Sequence, residues 1–146
     1  MRLQHRVQTT ATPAEVWGVL GVPSAWPTVE LTLRGVRGGI SRVVTGQRLM
    51  ALIRLSALGI PIDVVEAVPE QRLVLLAHVA PGLREQLTFE LLPAVPRGTD
   101  IRVSVVVEGA FAVGAVLPVW LGSGLTARVL AARTDRQSRL ARSSAA

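Results

Sequence analysis

The chain has 146 residues, of which 49% are hydrophobic, and this is enough for one domain with a hydrophobic core. It contains no cysteine, and all sixteen basic residues are arginine, which excludes disulfides, thiol catalysis, a Schiff-base lysine and a phosphate-loop lysine. The chain has two histidines that lie far apart in the sequence and no cysteine, so we expect no metal site. The sequence also contains no cofactor-binding motif, so we expect no cofactor. The net charge is +6.

The chain opens with a strand pattern, because residues 3–9 alternate apolar and polar side chains. A helix over Pro13–Leu20 follows, with Thr12 as N-cap, Pro13 at the first position and Glu15 completing a capping box. Residues 24–26 predict a second short helical turn before Pro27. Residues 1–5 lack the apolar segment of a signal peptide, so we expect a cytoplasmic location.

Short antiparallel strands separated by Pro and Gly turns fill the middle of the chain. The predicted strands cover residues 29–36, 47–55, 62–68, 72–79, 83–92 and 99–108.

The C-terminal part is predicted to be a long helix, with helical spacing from Gly122 and an apolar face through Leu121, Leu125, Val129, Ala132 and Leu140. Residues 110–127 carry no charge and reach the length of a membrane span. Because the run contains several glycines and one proline, and because the sheet needs a cover, a buried helix is favoured. Membrane association through this helix stays open as an alternative.

The last nineteen residues hold five arginines and one aspartate, a net charge of +4. They contain no aromatic side chain for base stacking, so a solvated helix face is favoured over nucleic-acid binding. We expect a single domain over residues 1–142 and a disordered tail over 143–146. The sequence leaves the oligomeric state open.

Four segments, in this order, carry a resemblance to a known family: Ala-Thr-Pro-Ala-Glu-Val-Trp at 11–17, Trp26-Pro27, Val-Glu-Ala-Val-Pro-Glu-Gln-Arg-Leu at 65–73, and residues 89–99 from Phe-Glu-Leu-Leu-Pro to Gly-Thr. Over about residues 2–142, the sequence resembles the START-like (SRPBCC) superfamily, and within it the polyketide cyclase/dehydrase-type branch.

The resemblance implies an α+β helix-grip fold, in which a curved antiparallel sheet of about seven strands surrounds a long C-terminal helix and two short helices follow strand 1. It also implies an internal cavity for an apolar or amphipathic small molecule, since members bind lipids, sterols, quinones or polyketides. Some members catalyse cyclisation or dehydration. We therefore expect ligand binding, with a polyketide cyclase or dehydratase as the alternative.

Alternation along the strands identifies Glu85 and His5 as candidate catalytic residues, because each shares a face with apolar neighbours. A carboxylate on such a face has a raised pKa and could act as a general acid or base. The simpler interpretations are a solvated Glu85 at the cavity mouth and a structural His5. Glu66 also has inward parity but lies near a turn, which favours a structural role, and His78 is predicted to face outward.

The predicted ligand-binding set combines the aromatic motif residues with apolar residues of the strands and the C-terminal helix, and with one arginine at the cavity entrance. Trp17 and Trp26 are also typical of core packing and of a structural turn. The set is Trp17, Trp26, Ile53, Arg54, Leu87, Phe89, Val103, Val105, Trp120, Leu121 and Leu125.

Overall fold

A computed structural model describes residues 1–38, 41–54, 56–109 and 112–145, with the side chains of the last helix described from Arg128 onward. The elements in chain order are β1 (Arg2–Thr9), α1 (Pro13–Leu20), a 3-10 helix (Pro23–Thr28), β2 (Leu33–Arg37), β3 (Arg48–Ile53), β4 (Gly59–Val68), β5 (Arg72–Ala80), β6 (Leu83–Pro93), β7 (Thr99–Gly109) and α2 (Ala112–Ala145).

The seven strands form one antiparallel sheet in the order β1-β7-β6-β5-β4-β3-β2. Strands β2 to β7 follow one another as a meander, and β1 pairs with β7 at the far edge. Helix α1 and the 3-10 helix carry the chain from one edge strand to the other. Helix α2 lies against β1, β7 and α1, which confirms the predicted helix-grip architecture.

The two faces of the sheet differ in polarity, as the alternation predicts. On β7, Ile101, Val103 and Val105 are buried, whereas Arg102 between them is exposed. The outer face is covered by ion pairs between neighbouring strands, such as Arg48 with Asp63 at 2.7 Å. The core therefore lies on the inner face, between the sheet and the helices.

Helix α1 begins at the predicted residue, with Thr12 as its N-cap. The Thr12 hydroxyl accepts a hydrogen bond of 3.3 Å from the amide of Glu15, and Pro13 occupies the first turn. Such a cap typically contributes about 1 kcal/mol to helix stability. The opposite face of the helix buries Val16 and Trp17 in the core.

Helix α2 begins at Ala112, within the segment for which a helix was favoured, and it differs from its prediction in two respects. It continues through residues 143–145, which were expected to lie in the tail. Its buried face passes through Leu130, Ala131, Thr134 and Ser138, whereas Ala132 and Leu140 are exposed. The prediction was therefore wrong at Ala132 and Leu140, whereas Val129 is partly buried against the core as predicted. Thr134 and Ser138 were missed because polar residues escape a search for apolar spacing.

The expectation that residues 110–127 form a buried segment concerns side chains outside the described residues. In the described part of the chain, the structure contains no helix that combines the length and the hydrophobicity needed to span a membrane.

Two strand predictions need correction. The strand predicted from residue 29 begins at Leu33, because the amides of Val29 and Glu30 bond to the Trp26 carbonyl and continue the preceding helical turn. The inward parity assigned to Glu66 was wrong, since a bulge after Val64 shifts the register of β4. Glu66 instead forms an ion pair of 3.1 Å with Arg72.

Candidate ligand cavity

A cavity of about 190 Å³ lies between the 3-10 helix, the inner face of strands β2 to β6, and α2. We call it the Trp26 cavity. Fourteen of its seventeen described lining residues are apolar. The lining consists of Leu20, Trp26, Val29, Glu30, Thr32, Leu33, Ala51, Ile53, Ile60, Ile62, Leu75, Ala77, Val79, Glu85, Leu87, Phe89 and Leu130.

Trp26 is held in a fixed orientation in the cavity wall. Its indole nitrogen donates a hydrogen bond of 2.8 Å to the carbonyl of Leu20, and only 5% of the residue is exposed. The carbonyl is available because α1 ends at Leu20, and the last carbonyls of a helix have no partner within it. The sequence pair Trp26-Pro27 thus places an aromatic ring against the cavity while it closes a turn.

Glu85 is a half-buried carboxylate in this apolar wall. Burial, and in second place the negative charge of Glu30, raise the pKa of the Glu85 carboxyl above its ordinary value. Glu30 lines the same cavity, and its carboxylate accepts hydrogen bonds from the amide of Thr32 at 3.1 Å and from the hydroxyl of Thr32 at 2.7 Å. Both carboxylates can accept hydrogen bonds from a ligand.

Five of the predicted site residues line the Trp26 cavity: Trp26, Ile53, Glu85, Leu87 and Phe89. Three others lie elsewhere in the hydrophobic core and do not line it: Trp17, Val103 and Val105, at 4%, 2% and 0% exposure. For Trp17 this matches the simpler interpretation, core packing. Trp120, Leu121 and Leu125 belong to α2, and their side chains lie outside the described residues.

Arg54 does not line the Trp26 cavity. Its guanidinium donates hydrogen bonds to the carbonyls of Leu31 and Leu33, both at 3.1 Å, and its side chain is exposed. In this arrangement Arg54 fastens the segment before β2 to the end of β3, and that role differs from the predicted contact with a ligand.

His5 and Glu85 are not brought together. His5 pairs with Val103 across β1 and β7, whereas Glu85 pairs with Val107. The two positions are therefore four residues apart along the strand direction, about 13 Å. His5 also does not line the Trp26 cavity, so the two residues do not form one acid/base pair. His78 faces outward as predicted, and its Nε2 lies 2.8 Å from Asp63.

Sequence reasoning missed several lining residues. Ala51 and Ala77 share the inward parity of their strands, so alternation could have identified them, and their small side chains leave space in the cavity. Leu20 comes from the end of α1, where the sequence shows no alternation, and Val29 caps the 3-10 helix although it was predicted to begin a strand. Leu130 was missed because the face of α2 was assigned one residue away.

A larger depression of about 560 Å³ lies on the outer face of the sheet, lined mainly by polar and charged side chains. Three of its four described arginines have acidic partners: Arg6 and Arg102 lie 2.7 Å and 3.9 Å from Asp100, and Arg72 lies 2.8 Å from Glu90. The described residues contain no group of three or more potential metal ligands. The Trp26 cavity is therefore the candidate site.

Solved structures of bacterial proteins share this architecture. A Mesorhizobium loti protein has a TM-score of 0.77 at 20% identity, covering 93% of this chain and 98% of its own. A START superfamily protein from Mycobacterium smegmatis has a TM-score of 0.68 at 13% identity, with coverage of 93% and 98%. A Rhodobacter sphaeroides protein has a TM-score of 0.67 at 24% identity, with coverage of 90% and 91%.

No protein-family model matches the chain, and no curated protein matches it. The structural likenesses show the fold. The chain has a START-like helix-grip fold, as the sequence resemblance implies.

Proposed function

We propose that the protein binds a small apolar or amphipathic molecule in the Trp26 cavity. The observation that carries this proposal is the lining, in which fourteen of seventeen described residues are apolar. Apolar side chains that border an unfilled cavity lack van der Waals contacts on that side, and a bound ligand supplies those contacts. The volume of about 190 Å³ accommodates one or two rings or an aliphatic chain of similar size.

The START-like fold supports the proposal, because the cavity lies between sheet and helices, where the fold leaves space. A polyketide-like, lipid-like or quinone-like molecule fits this chemistry, with its apolar part against Trp26 and Phe89 and its polar part near Glu30 and Glu85.

Isothermal titration of the purified protein with 1-naphthylmethanol, a neutral two-ring probe, tests the proposal. We expect saturable binding with one site per chain. Ala77→Leu fills the cavity from β5 and should weaken binding at least about tenfold, which is the effect of losing about 1.4 kcal/mol. Ala51→Leu is a second filling variant from β3, in case the first does not fold. Ala132→Leu adds the same side chain at an exposed position of α2 and should bind as the wild type does.

Two results would overturn the proposal. The first is no uptake of the probe by the folded protein. The second is binding that both filling variants leave unchanged, since the probe would then occupy another part of the molecule.

An enzymatic role is the second candidate, and Glu85 is the observation that favours it. A half-buried carboxyl with a raised pKa can exchange protons with a ligand in an apolar cavity, as the cyclisation or dehydration of a polyketide-like substrate requires. A naphthyl-substituted 1,3-diketone in D₂O provides a test through deuterium uptake at the carbon between the carbonyls. We expect Glu85→Gln to remove the acceleration and His5→Ala to keep it. Equal rates with and without wild-type protein would exclude this role.

A further inference from the structure

The three polar residues in the described lining of the Trp26 cavity are Glu30, Thr32 and Glu85. None of the seventeen lining residues is basic, although the protein as a whole carries a net charge of +6. The charge in the cavity is therefore opposite in sign to the charge of the molecule. We propose that the Trp26 cavity selects amphipathic ligands that carry a cationic nitrogen, such as a protonated amine or a quaternary ammonium. This inference rests on the proposed function.

The positions of the carboxylates support a cationic ligand. Glu30 follows the 3-10 helix and Glu85 lies on β6, so two separate elements supply a negative charge to one apolar space. The Glu30 carboxylate is oriented before a ligand arrives, because Thr32 donates two hydrogen bonds to it. A preoriented acceptor loses less conformational freedom on binding.

Trp26 supplies the second feature that recognises a cation. Its indole ring lines the same cavity and is fixed by the bond to Leu20. The face of a tryptophan ring attracts cationic nitrogen more strongly than any other side-chain ring. Carboxylates beside a fixed aromatic ring thus form the chemical surroundings that an ammonium group prefers.

The electrostatics also disfavour an anionic ligand. The two carboxylates repel each other, and the raised pKa of Glu85 reflects both its burial and this repulsion. A bound cation relieves the repulsion, whereas a bound anion increases it. Arg54 does not reverse this balance inside the cavity, since its guanidinium lies on the carbonyls of Leu31 and Leu33 and outside the lining.

Three probes with the same ring test the inference: 1-naphthylmethylammonium, 1-naphthylmethanol and 1-naphthoate, titrated at pH 7.5 in 0.15 M salt. We expect the ammonium probe to bind about tenfold more tightly than the alcohol, which corresponds to one partly desolvated charge interaction, and the naphthoate to bind most weakly. Non-specific attraction to a chain of charge +6 would favour the naphthoate, so a preference for the ammonium reports the local site.

Variants that remove one negative charge show whether the preference for the ammonium probe arises in the cavity. Glu85→Gln and Glu30→Gln should each reduce the ratio of ammonium to alcohol affinity at least threefold, because each removes a negative charge but keeps an oxygen that accepts a hydrogen bond from the alcohol. Glu108→Gln, at an exposed position on β7, removes the same charge elsewhere and should leave the ratio unchanged. Equal binding of ammonium and alcohol by the wild type would overturn the inference and leave the proposed function intact. An unchanged ratio in both cavity variants would also overturn it. Failure of all three probes to bind would overturn the proposed function itself.

Discussion

The carboxylate of Asp135 on α2 accepts a hydrogen bond of 2.5 Å from the hydroxyl of Thr9, the last residue of β1. The same carboxylate accepts bonds from the amide of Thr10 at 2.6 Å and from the hydroxyl of Thr10 at 2.9 Å. One residue of the C-terminal helix thus receives three hydrogen bonds from the last residue of the first strand and the residue that follows it. These bonds hold the part of α2 in which Leu130, five residues before Asp135, lines the Trp26 cavity.

We expect Asp135→Asn to lower the free energy of unfolding by about 1–2 kcal/mol, because hydrogen bonds to an ionised group are stronger than those to a neutral amide. Burial acts to raise the pKa of Asp135, but the bonds from Thr9 and Thr10 and the charge of Arg139 outweigh it, and the pKa is lowered. Urea denaturation at pH 7 measures the change. Glu108→Gln, which removes an exposed carboxylate, should change stability by less than about 0.5 kcal/mol. If Asp135→Asn has the same free energy of unfolding as the wild type, the hydrogen bonds of Asp135 do not anchor α2 to the end of β1.

Asp63 on the outer face predicts a loss of stability in acid. A hydrogen bond from Arg48, and in second place one from His78, lower the pKa of Asp63 from 3.8 to about 2. A carboxyl with a lower pKa in the folded state stabilises the fold above its unfolded pKa, and this contribution is lost as the pH falls through the folded pKa. The loss should therefore occur between about pH 4 and pH 2.

The measurement compares wild type and Asp63→Asn by urea denaturation at pH 7 and at stepwise lower pH. The variant should be less stable at pH 7, and the difference should shrink as the pH falls below about 4. A difference that stays constant down to pH 2 would show that the ionised form of Asp63 does not stabilise the fold. His78→Gln keeps the Arg48 pair and should show a smaller effect of the same sign.

The strands and α1 could be predicted from the sequence, because each rests on a local signal. Thr12 and Pro13 define the start of α1 within one turn, and β6 and β7 alternate over most of their length. The signal fails where a local irregularity changes the register. The bulge in β4 after Val64 turns Glu66 outward, and nothing in the alternation of its neighbours records the extra residue.

The candidate site could be predicted only in part, for a related reason. Parity identified Glu85 and Leu87 as inward-facing, but it could not say which inward residues fill the core and which border a space. Val103 and Phe89 face each other across β7 and β6, and only Phe89 lines the cavity. Whether a gap remains depends on how closely the helices approach each part of the sheet, which is a property of the tertiary packing.

Substitution of Gly98 tests whether the segment at Thr9 and Thr10, which bonds to Asp135 of α2, is held in a fixed position. Gly98 has a φ of +104°, and a Cβ at this position would overlap the carbonyl oxygen of Thr9. Gly46 has a φ of +84° with no atom within 4 Å of the same added group. Both alanine variants incur the cost of a positive φ, about 1 kcal/mol, but only Gly98→Ala adds a backbone overlap.

We therefore expect Gly98→Ala to be less stable than Gly46→Ala by at least about 1 kcal/mol in urea denaturation. Equal losses in the two variants would show that the Thr9 turn moves aside without cost. Such a result would also weaken the view that the bonds of Thr9 and Thr10 to Asp135 form a fixed anchor.

Trp26 should report occupancy of the cavity through its fluorescence. Its ring lines the cavity, whereas Trp17 is buried in the core away from it, so a bound probe contacts the first ring and not the second. The test uses a Trp120→Phe background, in which Trp17 and Trp26 are the remaining tryptophans. Energy transfer to a bound naphthyl probe would affect both tryptophans and would not separate them. The non-fluorescent quencher 4-nitrobenzyl alcohol acts by contact, so in the cavity it should quench Trp26 alone. We expect saturable quenching by the nitrobenzyl probe in the Trp17→Phe variant and none in the Trp26→Phe variant.

The Trp26→Phe variant needs its own control, because it also removes the hydrogen bond to the Leu20 carbonyl and leaves that acceptor buried. This loss should cost about 1–3 kcal/mol of stability, so titrations must be made at a temperature where circular dichroism shows the variant folded. Quenching that persists in folded Trp26→Phe and disappears in Trp17→Phe would place the bound probe against the core around α1. Because Trp26 lines the cavity and Trp17 does not, the pair of variants distinguishes a ligand in the Trp26 cavity from one bound in the core around Trp17.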